Sequence, residues 1–372
     1  MPNNLSESLP VSPLSQMSLS SLSALKSGAS HPAPPPPTPG LTRLGVFLNV
    51  EDPHHDPAGA LHELVNTAVS AEAQGYESVW LAEHHHNGFA IGSALTVLLG
   101  HIAALTTRIR LGTGAALLPL NDPVRIAEQV ATLDLLSQGR IEFGVGRGGP
   151  FPEQYRQVGL ASAEEARAHL HEALALIRRL WAPVQGEESV DYVGRFYQVS
   201  GLRLEPKPLQ RPVPVWLASL SPDSCELAAE HGDGLMATPS SDLAQVAQVV
   251  QAQRARQAEL RFAIARFFHC EADPEQARAR GLAGVRAYPL EMGVQFAPGK
   301  RPPMFEPDAP DEVILANAVI GDPAQCLAQV QRLQALLGPH LLLLKPAAHE
   351  PTQARTALGL FMSEMRQKGL VR

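Results

Sequence analysis

From Leu41 onward, short apolar runs alternate with longer stretches of helical periodicity. "RLGVFLNV" reads as a strand, and "PAGALHELVNTAVSAEAQG" as a helix with Gly75 as its stop. "ESVWLAEH" is a second strand, followed by the helix "SALTVLLGHIAALTT". "RIRLGTGAAL" is a third, and its helix "DPVRIAEQVATLDLLSQG" has Asp122 as cap, Pro123 at the first position and Gly139 at the end. "RIEFGVGRG" is a fourth, with the long helix "SAEEARAHLHEALALIRRLWA" after it. "RFYQVSGLRLEPKP" has the look of an inserted hairpin, and "VPVWLAS", "DGLMATP", "LRFAIARFFHC" and "HLLLLKP" supply four more strands.

Eight strands that are apolar on both faces, each followed by a helix, belong to a covered parallel sheet. The pattern predicts an α/β protein of the (β/α)8 TIM-barrel class with insertion loops, in preference to a doubly wound open sheet. Residues 41–372 then form the barrel domain, and the Pro- and Gly-rich, weakly periodic stretch 283–318 is placed as a mobile active-site lid between strands seven and eight. Residues 1–40 are Ser/Pro-rich, lack a signal-peptide pattern and read as a disordered leader.

Composition narrows the partners. Of 372 residues, 45% are hydrophobic and 18% charged, as in an ordinary globular protein. A net charge of −7 without a basic run argues against nucleic acid or an anionic membrane surface, and 5% aromatics against a base-stacking platform. Cys225, Cys270 and Cys326 have no CxxC spacing, which fits a reducing cytoplasm rather than a disulfide framework or zinc ribbon. No apolar run reaches the ~20 residues of a membrane span.

In a barrel, chemistry gathers at the carboxyl ends of the strands, where the unusual residues of this chain fall. Strand two ends in "AEHHHNGF". His84 and His86 stand two apart, the spacing of an HxH metal pair on an extended strand. Later strand ends carry glycine, alanine, arginine and serine instead of further ligands, which disfavours a metal. Local hydrogen bonding accounts for at least one histidine, since three adjacent imidazoles cannot all face one cavity. In "FGVGRGG" the spacing fails the dinucleotide fingerprint and Pro150-Phe151-Pro152 replace the required helix. A glycine-rich turn explains it, yet Gly146 and Gly148 around Arg147 also let amides and a guanidinium approach an anion. In "LASLSPDSCELAAEHGDG", Ser221 is a natural N-cap, Pro222 a first helical residue, and Ser219 and Ser224 flank them. Capping alone explains the serines; the neighbouring Arg147 favours a shared phosphate. Gly112, Gly114 and Ala115 leave room for a flat ligand or mark a bulge.

"VWLAEHH", the run "LGTGAALLPLNDPVRIAEQVATLDLLSQGRIEFGVGRG" and "VPVWLAS…ELAAEHGDGLM" together resemble the bacterial luciferase-like flavin monooxygenases, in the right order and spacing from Leu41 to Thr238. The resemblance implies a barrel that binds reduced FMN and, with O2, forms a C4a-peroxyflavin that oxygenates a small, usually apolar organic substrate. It assigns His84 as the catalytic residue, makes His85 structural, and reserves no role for His86. Cofactor contacts carry over to Glu83, Arg147 with Gly146 and Gly148, and Ser219, Ser221 and Ser224; Gly114 and Ala115 back the flavin ring, often through a non-prolyl cis peptide. Gly146 stands where luciferase proper has a reactive cysteine, which argues against light emission. The resemblance further implies reducing equivalents from a separate flavin reductase or NAD(P)H, and a homodimer. Relatives that use F420 for hydride transfer, and a flavin-binding protein without turnover, are the alternatives.

Overall fold

The structure is a computed structural model, and it describes residues 42–149, 151–182, 189–231, 233–256, 259–348 and 350–371. The expected leader 1–40 lies outside the described residues. Eight parallel strands close into a ring: β1 (Arg43–Leu48), β2 (Ser78–Leu81), β3 (Arg110–Thr113), β5 (Ile141–Gly146), β8 (Val215–Leu217), β9 (Gly234–Ala237), β10 (Phe262–Cys270) and β12 (Leu341–Pro346). Pairing of β12 with β1, Leu343 opposite Gly45, shuts the barrel as the apolar pattern required. The short α4 (Pro152–Gln157) follows β5, and the outer helices are α1 (Pro57–Gln74), α2 (Leu95–Leu105), α3 (Pro123–Leu136), α5 (Ala163–Trp181), α6 (Pro222–His231), α7 (Leu243–Arg256), α8 (Pro274–Glu291), α10 (Pro323–Leu337) and α11 (Pro351–Gln367).

Alternate residues of each strand divide between two packed regions. Val46, Val79, Leu111, Phe143 and Leu344 join the layer between sheet and helices, whereas Phe47, Trp80, Trp216, Met236, Ala265 and Leu343 fill the barrel. Trp80 and Trp216 meet edge to face, with centroids 5.6 Å apart. Glycines make room for them, for a Cβ on Gly112 would lie 2.2 Å from the Trp80 indole and one on Gly234 2.2 Å from that of Trp216. Polar pairs satisfy the indoles: Trp80 Nε1 donates to Ser78 Oγ at 3.0 Å, and Trp216 Nε1 to Glu142 Oε2 at 2.6 Å. The buried ion pair of Arg110 with Glu142 completes this amino-end layer, so the open end is the carboxyl end.

Three expectations change. The third strand breaks at a cis peptide between Gly114 and Ala115, and the chain resumes as the two-residue β4 (Ala116–Leu117) against β5. The hairpin begins earlier than predicted, as β6 (Val190–Val193) and β7 (Gln198–Leu202). Its strands are largely exposed on both sides and therefore lack a period-two pattern. The expected lid stretch opens with helix, because α8 runs to Glu291 through Pro289. Gly281 and Gly284 hid that helix from the sequence. They are there because it packs at close range: a Cβ on Gly284 would fall 1.8 Å from the Ala347 carbonyl oxygen. Beyond it come a 3-10 turn at Pro303–Phe305, the short α9 (Asp311–Ala316) and β11 (Val319–Gly321), which pairs with the end of β10.

Candidate active site

A cavity of about 360 Å³ opens at the carboxyl end of the barrel. Gly114 and Ala115 after β3, Gly146 ending β5 and Ala218 after β8 line it together. A Cβ on Gly146 would stand 3.3 Å from Ala115 Cβ and 3.7 Å from Ala218 Cβ, so side chains larger than these would fill the base. Gly114 N donates to Leu81 O at 2.6 Å and Thr113 Oγ1 to Gly144 O at 2.6 Å, which pins the interrupted strand. The result is a smooth shelf of small residues that a planar ligand can lie against.

His84 lines this cavity just past β2. Its backbone N–H donates to Gly92 O at 3.0 Å, and its ring meets Phe151 edge-on at 5.6 Å. Burial, reinforced by the nearby charges of Lys345 and His85, lowers its pKa to about 4. The imidazole is therefore neutral near pH 7, with one nitrogen that accepts a proton and one that donates. Glu83 is buried and fully engaged. It accepts from His85 Nε2 at 2.7 Å, Asn121 Nδ2 at 3.1 Å and Leu117 N at 3.2 Å. Its carboxylate therefore ties the strand end to β4, and only its position at the cavity wall is shared with the predicted cofactor set. His86 is exposed at φ +53°, so the chain turns there and the extended HxH geometry does not form. Among the described residues, no group of three or more His, Cys, Asp or Glu side chains is placed to hold a metal.

One end of the cavity is polar. Arg147 Nη1 donates to Tyr155 Oη at 3.1 Å, and that hydroxyl donates to Gly148 O at 3.1 Å, with Gly148 at φ +103°. Ser219 and Ser224 line the same cavity. Ser221, predicted with them, is not among the lining residues. Its Oγ caps α6, accepting from Ser224 N at 3.4 Å and bonding Ser224 Oγ at 3.0 Å. Arg167, on the first turns of α5, adds a second guanidinium, held 3.3 Å from Asp223 Oδ2. The sequence offered no sign of it, since one arginine on a charged helix face looks like solvated surface.

The other end is apolar, walled by Phe47, Phe267, Met292, Val294, Phe296 and Phe305. Within it stand Asn49 after β1 and Tyr288 on α8. Behind them Lys345 Nζ donates to Glu51 Oε1 at 2.8 Å and lies 4.4 Å from the Tyr288 ring centroid. Asn49, Glu51 and Lys345 were also missed, because each is an isolated polar position in its own segment, whereas Tyr288 falls within the stretch expected as a lid.

A family model described as luciferase-like monooxygenase matches residues 42–340. The oxygenase component of a flavin-dependent trigonelline monooxygenase from Acinetobacter baylyi is 31% identical over 178 residues, 48% of each chain. An F420-dependent glucose-6-phosphate dehydrogenase from Kineococcus radiotolerans is 36% identical over 182 residues, covering 47% of this chain and 52% of that one. The matched segment thus spans about half the length of these curated relatives. The crystal structure of monooxygenase RslO1 from Streptomyces bottropensis superimposes with a TM-score of 0.76 at 25% identity, over 88% of this chain and 100% of that one.

Proposed function

The chain belongs to the luciferase-like monooxygenase family, and from that premise we propose that it uses reduced FMN and O2 to oxygenate a small, largely apolar organic substrate. One observation carries the reading: a single cavity joins a shelf of small residues, a neutral histidine, a cationic end and an apolar end. The residues fit the cofactor. Gly114, Ala115, Gly146 and Ala218 would back its flat ring, and the phosphate would lie among Arg147, the Gly148 backbone, Ser219 and Ser224, with Arg167 beside them. When bound, reduced flavin supplies the electrons that activate oxygen. His84 holds or moves a proton at its free nitrogen, which suits a group that is neutral at working pH. Met292, Val294, Phe296 and Phe305, from the segment after α8, exclude water, which would otherwise discharge the activated oxygen unproductively. The relative named as an oxygenase component supports a separate flavin reductase as the electron source. The apolar side chains Leu105, Leu135 and Leu136, exposed at the ends of α2 and α3, support a homodimer through that face.

The test is reconstitution with photoreduced FMN under oxygen and a panel of organic substrates. His84→Ala should retain FMN and release hydrogen peroxide in place of oxygenated product; normal coupling in that variant would remove His84 from catalysis. Arg147→Ala should weaken FMN binding about tenfold or more; unchanged affinity would remove the phosphate assignment. The similarity to an F420-dependent dehydrogenase supports a second reading, hydride transfer to or from F420 in the same cavity. Turnover of F420 without oxygen consumption would select it.

A further inference from the structure

The apolar end of the cavity contains an uncompleted hydrogen-bonding pair. Asn49 Nδ2 donates to Tyr288 Oη at 3.1 Å and to Glu51 Oε1 at 3.3 Å. Glu51 is in turn bound by Lys345, and a carboxylate held by an ammonium only accepts. That fixes which way the Asn49 amide points. Its Oδ1 is then buried with no donor. Burial, with the Glu51 charge second, holds the Tyr288 phenol well above its ordinary range, so it stays protonated. The phenol oxygen accepts from Asn49, which leaves its own proton uncommitted among the described residues. Asn49 and Tyr288 both line the cavity, so an unpaired acceptor, covered over in this structure, and an uncommitted donor belong to a wall otherwise made of Phe47, Phe267, Met292 and Phe305.

An unpaired buried acceptor is destabilising, and a ligand that supplies the missing donor recovers that loss. Lys345 and Glu51 already neutralise each other, so an ionic ligand group would find no counter-charge there. Resting on the reading of this end as the substrate side, we infer that Asn49 and Tyr288 select a substrate whose apolar body bears one uncharged group able both to donate and to accept, of the carboxamide or hydroxyl kind. Asn49 Oδ1 receives the N–H or O–H, and Tyr288 Oη–H is given to the oxygen. The substrate is then not a plain hydrocarbon, because a site built around such a pair rejects the analogue that cannot complete it.

Matched probes test this: benzamide against toluene, titrated calorimetrically into the purified protein with and without saturating FMN. Benzamide should bind about tenfold or more tighter than toluene. Asn49→Leu should abolish that preference and Tyr288→Phe should reduce it, both with FMN affinity unchanged. Equal binding, binding of neither probe, or a preference that survives both substitutions overturns the inference. So does a loss of FMN affinity in Asn49→Leu with the preference intact, which would give the pair to the cofactor. The probe titration does not depend on turnover. A benzamide preference in a protein that neither binds FMN nor consumes oxygen would overturn the oxygenase reading and leave the recognition pair standing.

Discussion

His84 and His340 are both histidines that the fold keeps neutral, each lowered to about 4 chiefly by burial. In the unfolded chain both titrate near 6.5. Between about pH 6.5 and pH 4 the unfolded state therefore binds more protons than the folded one, and stability falls as pH falls through that window. Below about pH 4 the loss levels off. Thermal melts from pH 7 to pH 4 should show this decline, and His340→Asn should shallow it; an unchanged slope would mean that His340 is not held neutral. At the same scale, Glu83 shows how far a residue can be read from sequence. Its place beside His84 was legible. Its three hydrogen bonds to His85, Leu117 and Asn121 were not, because two of those partners lie on the chain beyond α2 and β3.

Helix boundaries were legible where a cap was read, as at Asp122 and Pro123, since caps are local chemistry. Asp56, Asp122, Asp273 and Asp322 each precede a proline at the first helical turn, and each carboxylate accepts a backbone N–H of that turn. Asp322 goes further, with Gln325 closing a reciprocal capping box at 2.8 Å and 3.0 Å. Asp322→Ala should cost about 1 kcal/mol by urea unfolding, while Asp322→Asn should cost less; equal losses would show that charge rather than capping is at stake. The elements that misread did so where packing overrode pattern. Gly281 and Gly284 look like loop residues, yet they let α8 approach β11 and the end of β12 closely. The chain that looked like one third strand is divided at Gly114–Ala115, where the backbone serves the cavity rather than the ladder.

Over the whole molecule, the barrel depends on two tryptophans facing glycines across neighbouring strands. Gly112→Ala would press a methyl into the Trp80 indole, which Trp216 and Gly144 confine from other sides. Overpacking of this kind should cost about 3 kcal/mol in chemical denaturation; a cost below about 1 kcal/mol would mean that the indole can shift. For the proposed homodimer, Leu136→Lys with Leu105→Lys should convert dimer to monomer in sedimentation velocity, with the circular dichroism spectrum unchanged. A species whose mass does not respond would place any interface elsewhere.

By itself the sequence determined the barrel, because continuous apolar strands and a helix start such as that at Asp122 and Pro123 are set by residues within one or two turns of one another. It also placed His84, Arg147 and the small residues at successive strand ends, since the fold carries every such end to one rim. The tertiary structure alone decided which polar residues meet there. Asn49 and Tyr288 are 239 positions apart, and Glu51 and Lys345 are 294 apart. No local pattern links such pairs. Their bonds exist only because closing the ring brings β12 beside β1, and packing α8 over β10 sets the phenol above that seam.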